Sequence, residues 1–100
     1  MANKITPSTG NVFEDLGFPK EEAENLKVRS TLMAIIRAII EEDGLTQAQA
    51  ATLFGVTQPR ISDLARGKID LFSIDALVNM VAASGRHVDV SVATPRNEAA

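Results

Sequence analysis

Few of the 100 residues carry side chains suited to covalent or metal chemistry. The chain has one histidine and no cysteine, which excludes thiol catalysis, disulfides and cysteine-ligated zinc. It also lacks a glycine-rich phosphate loop and a pair of carboxylates that a pocket would isolate. His87 has no second metal ligand at a suitable spacing, so we predict that it faces solvent. The sequence therefore predicts neither an enzyme nor a metal or cofactor site.

Side chains suited to hydrogen bonding with nucleic acid are concentrated between residues 47 and 68. A glutamine amide can pair with adenine, a carboxylate can accept from cytosine, and a proline can contact a thymine methyl group. Arginine and lysine bind phosphates, and so can a glutamine at a helix N-terminus. The candidates are Gln47, Thr57, Gln58, Pro59, Arg60, Ser62, Asp63, Arg66 and Lys68. Base contacts are predicted for Gln58, Pro59 and Asp63, and phosphate contacts for Gln47 and the three cations.

Two short helices are predicted to position these side chains. Thr46 and Gln49 have the spacing of a capping box, which predicts a helix over residues 47–54. Gly55 can adopt the left-handed conformation that ends a helix, and Thr57 can cap a second one that Gly67 ends. Two short helices joined by such a turn are typical of a helix-turn-helix, whose second helix enters the major groove of DNA.

The apolar residues of this segment agree with that motif. Ala51 is small where the two helices would cross, and Val56 and Ile61 have the spacing of a hydrophobic staple. Ile61 and Leu64 would seat the second helix on the rest of the domain. Because several independent positions fit, we predict that the second helix is the recognition helix.

A long helix is predicted before the motif and a shorter one after it. Pro19 suits the first position of a helix, and the pattern ends near Gly44. Ser73 is predicted to cap the later helix, which Gly85 ends. The inward face of the long helix is predicted to comprise Leu32, Ile35, Ile36 and Ile39.

Residues 87–92 alternate polar residues with Val88, Val90 and Val92, a period of two that predicts a half-buried strand. The predicted fold is mainly α, a bundle of four to five helices with one C-terminal strand. We predict an N-terminal arm at residues 1–18, the helix-turn-helix domain at 19–93 and a frayed tail at 94–100.

That single strand predicts a homodimer, because its backbone groups need a ladder that nothing else in the chain offers. Antiparallel pairing with a second copy would satisfy both strands. It would also separate two recognition helices by about 34 to 36 Å, which predicts a pseudo-palindromic operator. Contact through the fourth predicted helix, or addition of the strand to another protein's sheet, are alternatives.

Charge is distributed unevenly along the chain, which has a net charge of -3. Residues 1–43 hold five Lys/Arg against eight Asp/Glu, whereas residues 44–68 hold three against one. The asymmetry suggests two partner surfaces. The arm has four apolar residues, which would either fold back on the core or bind a protein partner: Val12, Phe13, Leu16 and Phe18. No signal peptide or membrane span is evident, which predicts a cytoplasmic protein with no membrane partner.

The stretch GLTQAQAATLFGVTQPRISDLARGK, residues 44–68, resembles the helix-turn-helix of Cro and phage-repressor (XRE) regulators. Its Thr-Gln pairs at 46–47 and 57–58 match the positions where those repressors place phosphate-binding and base-reading glutamines. Residues 10–18, the sequence Phe-Ser-Ile-Asp at 72–75 and the closing Val-Asp-Val-Ser-Val extend the resemblance to HigA-like antitoxins.

The resemblance covers roughly residues 10–93 and implies a repressor-like fold. It also implies an antitoxin that represses its own operon and neutralises a basic toxin of the RelE-like ribonuclease fold. A free-standing repressor without a toxin, and a protein-interaction module without a DNA role, are the alternatives.

Overall fold

Five α-helices and a short 3-10 helix make up the regular structure of residues 10–94, the part of the chain that this computed structural model describes. The elements are α1 Val12–Asp15, α2 Lys20–Glu42, α3 Gln47–Phe54, α4 Gln58–Ala65, the 3-10 helix Ile69–Leu71 and α5 Ile74–Ala83. The predicted mainly α architecture is confirmed. No described helix is both long and apolar enough to span a bilayer. The predictions for residues 1–9 and 95–100 lie outside the described residues.

Local hydrogen bonds at the helix ends follow the sequence signals closely. The Thr46 hydroxyl accepts from the Gln49 N–H at 3.1 Å, and the Gln49 side chain accepts from the Thr46 N–H at 2.9 Å. Gly55 ends α3 with φ +69°, in the left-handed region that favours glycine. The Ser73 hydroxyl accepts from the Ala76 N–H at 3.0 Å at the start of α5. The predicted capping box, turn glycine and serine cap are confirmed.

Thr57 begins α4 through its backbone alone. Its carbonyl accepts from the N–H groups of Arg60 and Ile61, but its side chain makes no capping hydrogen bond. A threonine cap normally accepts from the second or third residue of the helix, and here the second is Pro59, which has no N–H. The prediction of a side-chain cap is wrong at this helix.

The core lies where α2, α3, α4 and α5 meet. Its buried members are Leu32, Met33, Ile36, Ile39, Ala50, Ala51, Phe54, Ile61, Leu64, Phe72, Leu77, Met80 and Val81. Ile35, which is predicted to face inward, is instead 46% exposed. Met33 completes the buried stripe of α2, and Ile35 lies at its edge because successive helical residues turn by about 100°.

The N-terminal arm contains α1, a short helix that the sequence analysis does not predict. The Asn11 side-chain oxygen accepts from the N–H groups of Phe13 and Glu14 and so caps this short helix. The buried Asn11 amide also donates to the Ala23 carbonyl at 3.0 Å. Residues 10–18 of the arm fold back on α2, but none of the four apolar arm side chains joins the buried core, as the first alternative would require. A buried polar side chain holds the arm there, whereas Val12 and Leu16 remain 61% and 71% exposed.

The predicted C-terminal strand is not present in the described chain. Residues 86–94 have no regular secondary structure, and residues 10–94 contain no β-strand. Val88 packs against the core, whereas Val90 and Val92 are 82% and 91% exposed. The physical reason is that a β-ladder needs two strands, and the described part of one chain has no second strand to offer.

Candidate nucleic-acid interface

Helices α3 and α4 form the predicted helix-turn-helix. A Cβ placed on Gly55 would lie 3.4 Å from the Cβ of Ala83, so the turn lies directly against the end of α5. Ala51 is buried in the core shared with α4. Ile61 and Leu64 are almost fully buried and seat α4 on the domain as predicted. The orientation of α4 is therefore set by the same core that stabilises the fold.

The side of α4 that faces away from the core is polar. At about 100° per residue, the positions opposite the buried pair Ile61 and Leu64 are 59, 62 and 63. Gln58 and Pro59, at the N-terminal end of the helix, are exposed. Ser62 and Asp63, one turn later, are half-buried, and Arg66, just beyond the helix, is exposed. The structure thus brings together one continuous surface that begins at the N-terminal end of α4.

Gln47 and Thr57 occupy the starts of the two motif helices. Gln47 is the first residue of α3 and is exposed, beside backbone N–H groups that the helix itself leaves unpaired. Thr57 precedes α4 and is also exposed. Both positions suit hydrogen bonding to a phosphate oxygen, because the N-terminal end of a helix carries a partial positive charge.

Lys68 and Asp63 form an ion pair across the end of α4. The Lys68 amine lies 3.7 Å from the Asp63 carboxylate, with side chains 46% and 26% exposed. A pair this open contributes little to stability. It does hold the Lys68 charge near the outer face of α4, and it compensates the one carboxylate on that face.

Arg60 does not lie on the outer face of α4. Its guanidinium donates to the Leu71 carbonyl at 2.9 Å and stands 4.3 Å from the centre of the Phe72 ring. Phe72 is buried and Arg60 is half-buried. The structure therefore separates Arg60 from the two other predicted phosphate-binding cations, Arg66 and Lys68, which are exposed.

The sequence analysis does not identify Arg29 as a residue that contacts the segment after α4. Arg29 extends from α2 and donates to the carbonyls of Ile69 and Phe72, at 3.1 and 3.5 Å. A signal was available, because Arg29 lies on the buried stripe of α2, three residues after Leu26 and four before Met33. Arg29 is half-buried there, and a charged group that loses part of its water needs polar partners, which the carbonyls of residues 69 and 72 provide.

An apolar groove of about 540 Å³ runs between α2, α5 and the C-terminal segment. Val88 and Val90 line one side of it, and Val78 lines another. Val28 and Ile35, which are 43% and 46% exposed, complete its wall on α2. The residues of the predicted strand thus adjoin an apolar surface on α2 and α5. The sequence analysis does not identify this surface.

His87 lies beside this groove and faces solvent, as predicted. Its side chain is 85% exposed, and its Nε2 lies 3.6 Å from an Asp89 carboxylate oxygen. Across residues 10–94 the structure contains no group of three or more potential metal ligands.

A glycine turn between two short helices, with a polar outer face on the second, defines a helix-turn-helix DNA-binding protein. Comparison with known proteins gives the family. A family model described as a helix-turn-helix domain matches residues 12–93. The chain belongs to this helix-turn-helix family and has the fold of a transcription regulator.

Two individual relatives support the same conclusion. An uncharacterised HTH-type transcriptional regulator of Haemophilus influenzae is 30% identical over 90 residues, covering 88% of this chain and 91% of the relative. A solved structure described as an XRE family transcriptional regulator has a TM-score of 0.69 and 27% identity, covering 77% of this chain and 86% of that one. The resemblance to XRE-type regulators is confirmed, and the HigA-like branch stays a prediction.

Proposed function

We propose that this chain is a sequence-specific repressor that acts as a homodimer and reads a pseudo-palindromic operator with α4. The observation that carries the proposal is the outer face of α4. Gln58 and Pro59 are exposed at its N-terminal end, while the buried Leu64 holds the other side of the helix on the core. In helix-turn-helix proteins the N-terminal residues of the second helix contact base edges in the major groove.

The side chains divide into base-reading and phosphate-binding groups. Gln58 pairs with an adenine, Pro59 contacts a thymine methyl, and Asp63 accepts from a cytosine. The hydroxyls of Thr57 and Ser62 add hydrogen bonds along the same surface. The phosphate-binding groups are Arg66 and Lys68 at the end of α4 and Gln47 at the start of α3.

The test begins by selecting duplexes from a random-sequence library with the wild-type chain. Gln58→Ala should weaken binding to the best duplex by about 1 to 3 kcal/mol and relax the preference at one base pair. Asn79→Ala is the matched control, because Asn79 is an exposed amide on α5, outside the two helices of the motif. Binding is measured by fluorescence anisotropy over a series of salt concentrations, since phosphate contacts make the affinity fall steeply with salt.

Two results would contradict this docking. If Gln58→Ala bound every variant of the selected duplex as the wild type does, α4 would not be the reading element. If the wild-type chain selected no duplex at all, the chain would be a protein-interaction module without a DNA role.

The proposed dimer is supported by the exposed C-terminal valines. Val90 and Val92 are largely in solvent, and residues 86–94 have no ladder partner within residues 10–94. Antiparallel pairing with a second copy would satisfy the backbone and cover the adjoining groove of about 540 Å³. Such a two-fold dimer would set two α4 helices about 34 to 36 Å apart, one turn of DNA.

One register of this pairing fits the side chains best. With the two-fold axis at Val90, each Val88 lies opposite Val92 of the second copy, so all the valines share one face. A two-fold axis at Asp89 would place two carboxylates directly opposite each other, which is destabilising. Contact between the α5 helices is the competing mode of dimerisation, and addition of the segment to a toxin's sheet is another.

An antitoxin role is the second candidate, supported by the surface of α1. Val12 and Leu16 are exposed there, next to Glu14, Asp15 and the acidic start of α2. An apolar patch with acidic neighbours suits a basic protein partner. The antitoxin reading adds that this partner is a toxin of the RelE-like ribonuclease fold.

The antitoxin role is tested with the protein encoded by the adjacent reading frame. Co-expression with this chain should relieve any growth inhibition by that protein, and Leu16→Asp should abolish the relief. Val12→Leu, which keeps the patch apolar, is the control. A neighbouring protein that leaves growth unaffected, or a Leu16→Asp variant that neutralises normally, would favour a free-standing repressor.

A further inference from the structure

Arg60 makes two contacts on the inner flank of α4. The guanidinium donates to the Leu71 carbonyl at 2.9 Å and stacks over the buried Phe72 ring at 4.3 Å. Residues that are two positions apart in a helix are separated by about 200° around its axis, so Arg60 and Gln58 are on nearly opposite flanks of α4. Arg60 is only about 40° from the buried Leu64, which directs it towards the core rather than the outer face.

Arg29 approaches the same loop from α2. Its guanidinium donates to the carbonyls of Ile69 and Phe72, at 3.1 and 3.5 Å, and to the Asn25 side chain at 2.7 Å. Together the two arginines bind three of the four carbonyls of residues 69–72. These residues contain the 3-10 helix and connect the recognition helix to α5.

We infer that Arg60 and Arg29 form a clamp on residues 69–72, and that Arg60 acts in operator binding as a positioning residue, not as a phosphate ligand. This inference rests on the proposed function for its DNA-binding part. The clamp fixes the loop that directly follows Lys68, and therefore fixes where Arg66 and Lys68 present their charges. This positioning role takes the place of the phosphate contact that the sequence analysis predicts for Arg60.

The local chemistry favours a clamp over a phosphate contact. To reach a phosphate on the outer side of α4, Arg60 would leave the Phe72 ring and give up the Leu71 carbonyl. A planar guanidinium is suited to stack and hydrogen-bond at the same time, which a lysine ammonium cannot reproduce.

The experiment compares Arg60→Lys with Arg60→Met, using a duplex selected by the wild-type chain. At a phosphate contact, lysine would preserve the charge, whereas methionine would lower the slope of log affinity against log salt concentration by about 0.9. In a clamp, both variants should lose affinity by about tenfold at every salt concentration, with the slope unchanged. Arg66→Lys and Arg66→Met are the matched pair at an exposed position, where the phosphate pattern is expected.

Hydrogen exchange on the DNA-free protein tests the clamp separately. The N–H groups of Ile69, Leu71 and Phe72 donate to the carbonyls of Gly67, Lys68 and Ile69, so they exchange slowly only while residues 67–72 keep this shape. Both Arg60 variants should speed their exchange, while the Ala50 N–H in α3 keeps its wild-type rate. Arg60→Lys keeps the test available if Arg60→Met fails to fold.

Three results would overturn the inference: a salt slope lowered by about 0.9 in Arg60→Met alone, wild-type affinity in Arg60→Lys, or unchanged exchange in the loop. If the wild-type chain selected no duplex, the proposed function would fail instead. The exchange rates would still confirm or contradict the clamp in that case.

Discussion

The helix-turn-helix and the C-terminal segment both show clear sequence patterns, yet only the first of them forms its predicted structure within one chain. Residues 46–67 contain the capping box of α3, the turn glycine and the buried residues that seat both helices, and all of the partners of these residues lie in the same chain. Residues 86–94 have the alternation of a strand, but their hydrogen-bonding partner is absent from residues 10–94. A local pattern forms its structure alone only when its partners are also local or lie in the same core.

The largest expected effect is a difference in stability between a buried position of the helix-turn-helix and an exposed position of the C-terminal segment. Leu64→Ala removes a side chain with no exposed surface and should destabilise the protein by about 2 to 5 kcal/mol, a large part of a small domain's stability. Val92→Ala removes a side chain that is 91% exposed and should leave the isolated chain as stable as the wild type. Urea unfolding at low protein concentration measures both. A Val92→Ala chain that lost as much stability as Leu64→Ala would mean that the C-terminal segment belongs to the core.

The next effect concerns the proposed dimer. Val90→Pro removes a backbone donor in the middle of the segment, so the dimer should dissociate and operator affinity should fall at least tenfold. Helix content in circular dichroism should remain nearly unchanged, since no described helix includes residues 86–94. Sedimentation at micromolar concentration gives the oligomeric state. Val90→Thr, which keeps the backbone donor and the β-branch, is the control.

The same position can establish the register, because the chain has no cysteine of its own. With the two-fold axis at Val90, and Val90 in a hydrogen-bonded pair as the effect of Val90→Pro requires, a Val90→Cys side chain lies opposite its own copy at a Cα separation of about 5.5 Å, which allows a disulfide. Asp89→Cys faces the other side of the segment and should cross-link poorly. A dimer that survived Val90→Pro, or efficient cross-linking through Asp89→Cys instead, would contradict this pairing.

The smallest effect compares the two threonines that begin the motif helices. Thr46→Ala removes the hydroxyl that accepts from the Gln49 N–H, while the backbone N–H that donates to the Gln49 side chain remains, and it should destabilise the protein by about 1 kcal/mol. Thr57→Ala removes a side chain with no capping bond and should cost at most about 0.3 kcal/mol. Thermal unfolding of the DNA-free protein measures the difference. Equal losses at the two positions would show that Thr57 also caps its helix in solution.

The predictions made from sequence succeed where neighbouring residues interact. The capping box at Thr46, the left-handed Gly55 and the buried pair Ile61 and Leu64 follow from spacing, because each depends on partners a few residues away. Asn11 was missed because its buried partner, the Ala23 carbonyl, lies twelve residues along the chain. No period in the sequence indicates such a contact.

The candidate site divides in the same way. Which residues of α4 face outward could be predicted from the helical period, and the exposed Pro59 agrees with it, whereas Gln58 lies on a flank and is exposed because it begins the helix. The role of Arg60 could not be predicted, because its position on the flank of α4 allows it to contact either a DNA phosphate or the rest of the domain. The Leu71 carbonyl and the Phe72 ring that hold it depend on how the loop folds back against α4.

The sequence by itself determined the helix-turn-helix and the surface that α4 presents, because caps and helical periodicity are properties of adjacent residues. Only the tertiary structure decided that Asn11 holds the arm, that two arginines bind the loop at 69–72, and that the valines of the C-terminal segment adjoin an apolar groove. These features depend on the relative positions of helices. Such positions follow from the packing of the whole core, which no local stretch of sequence contains.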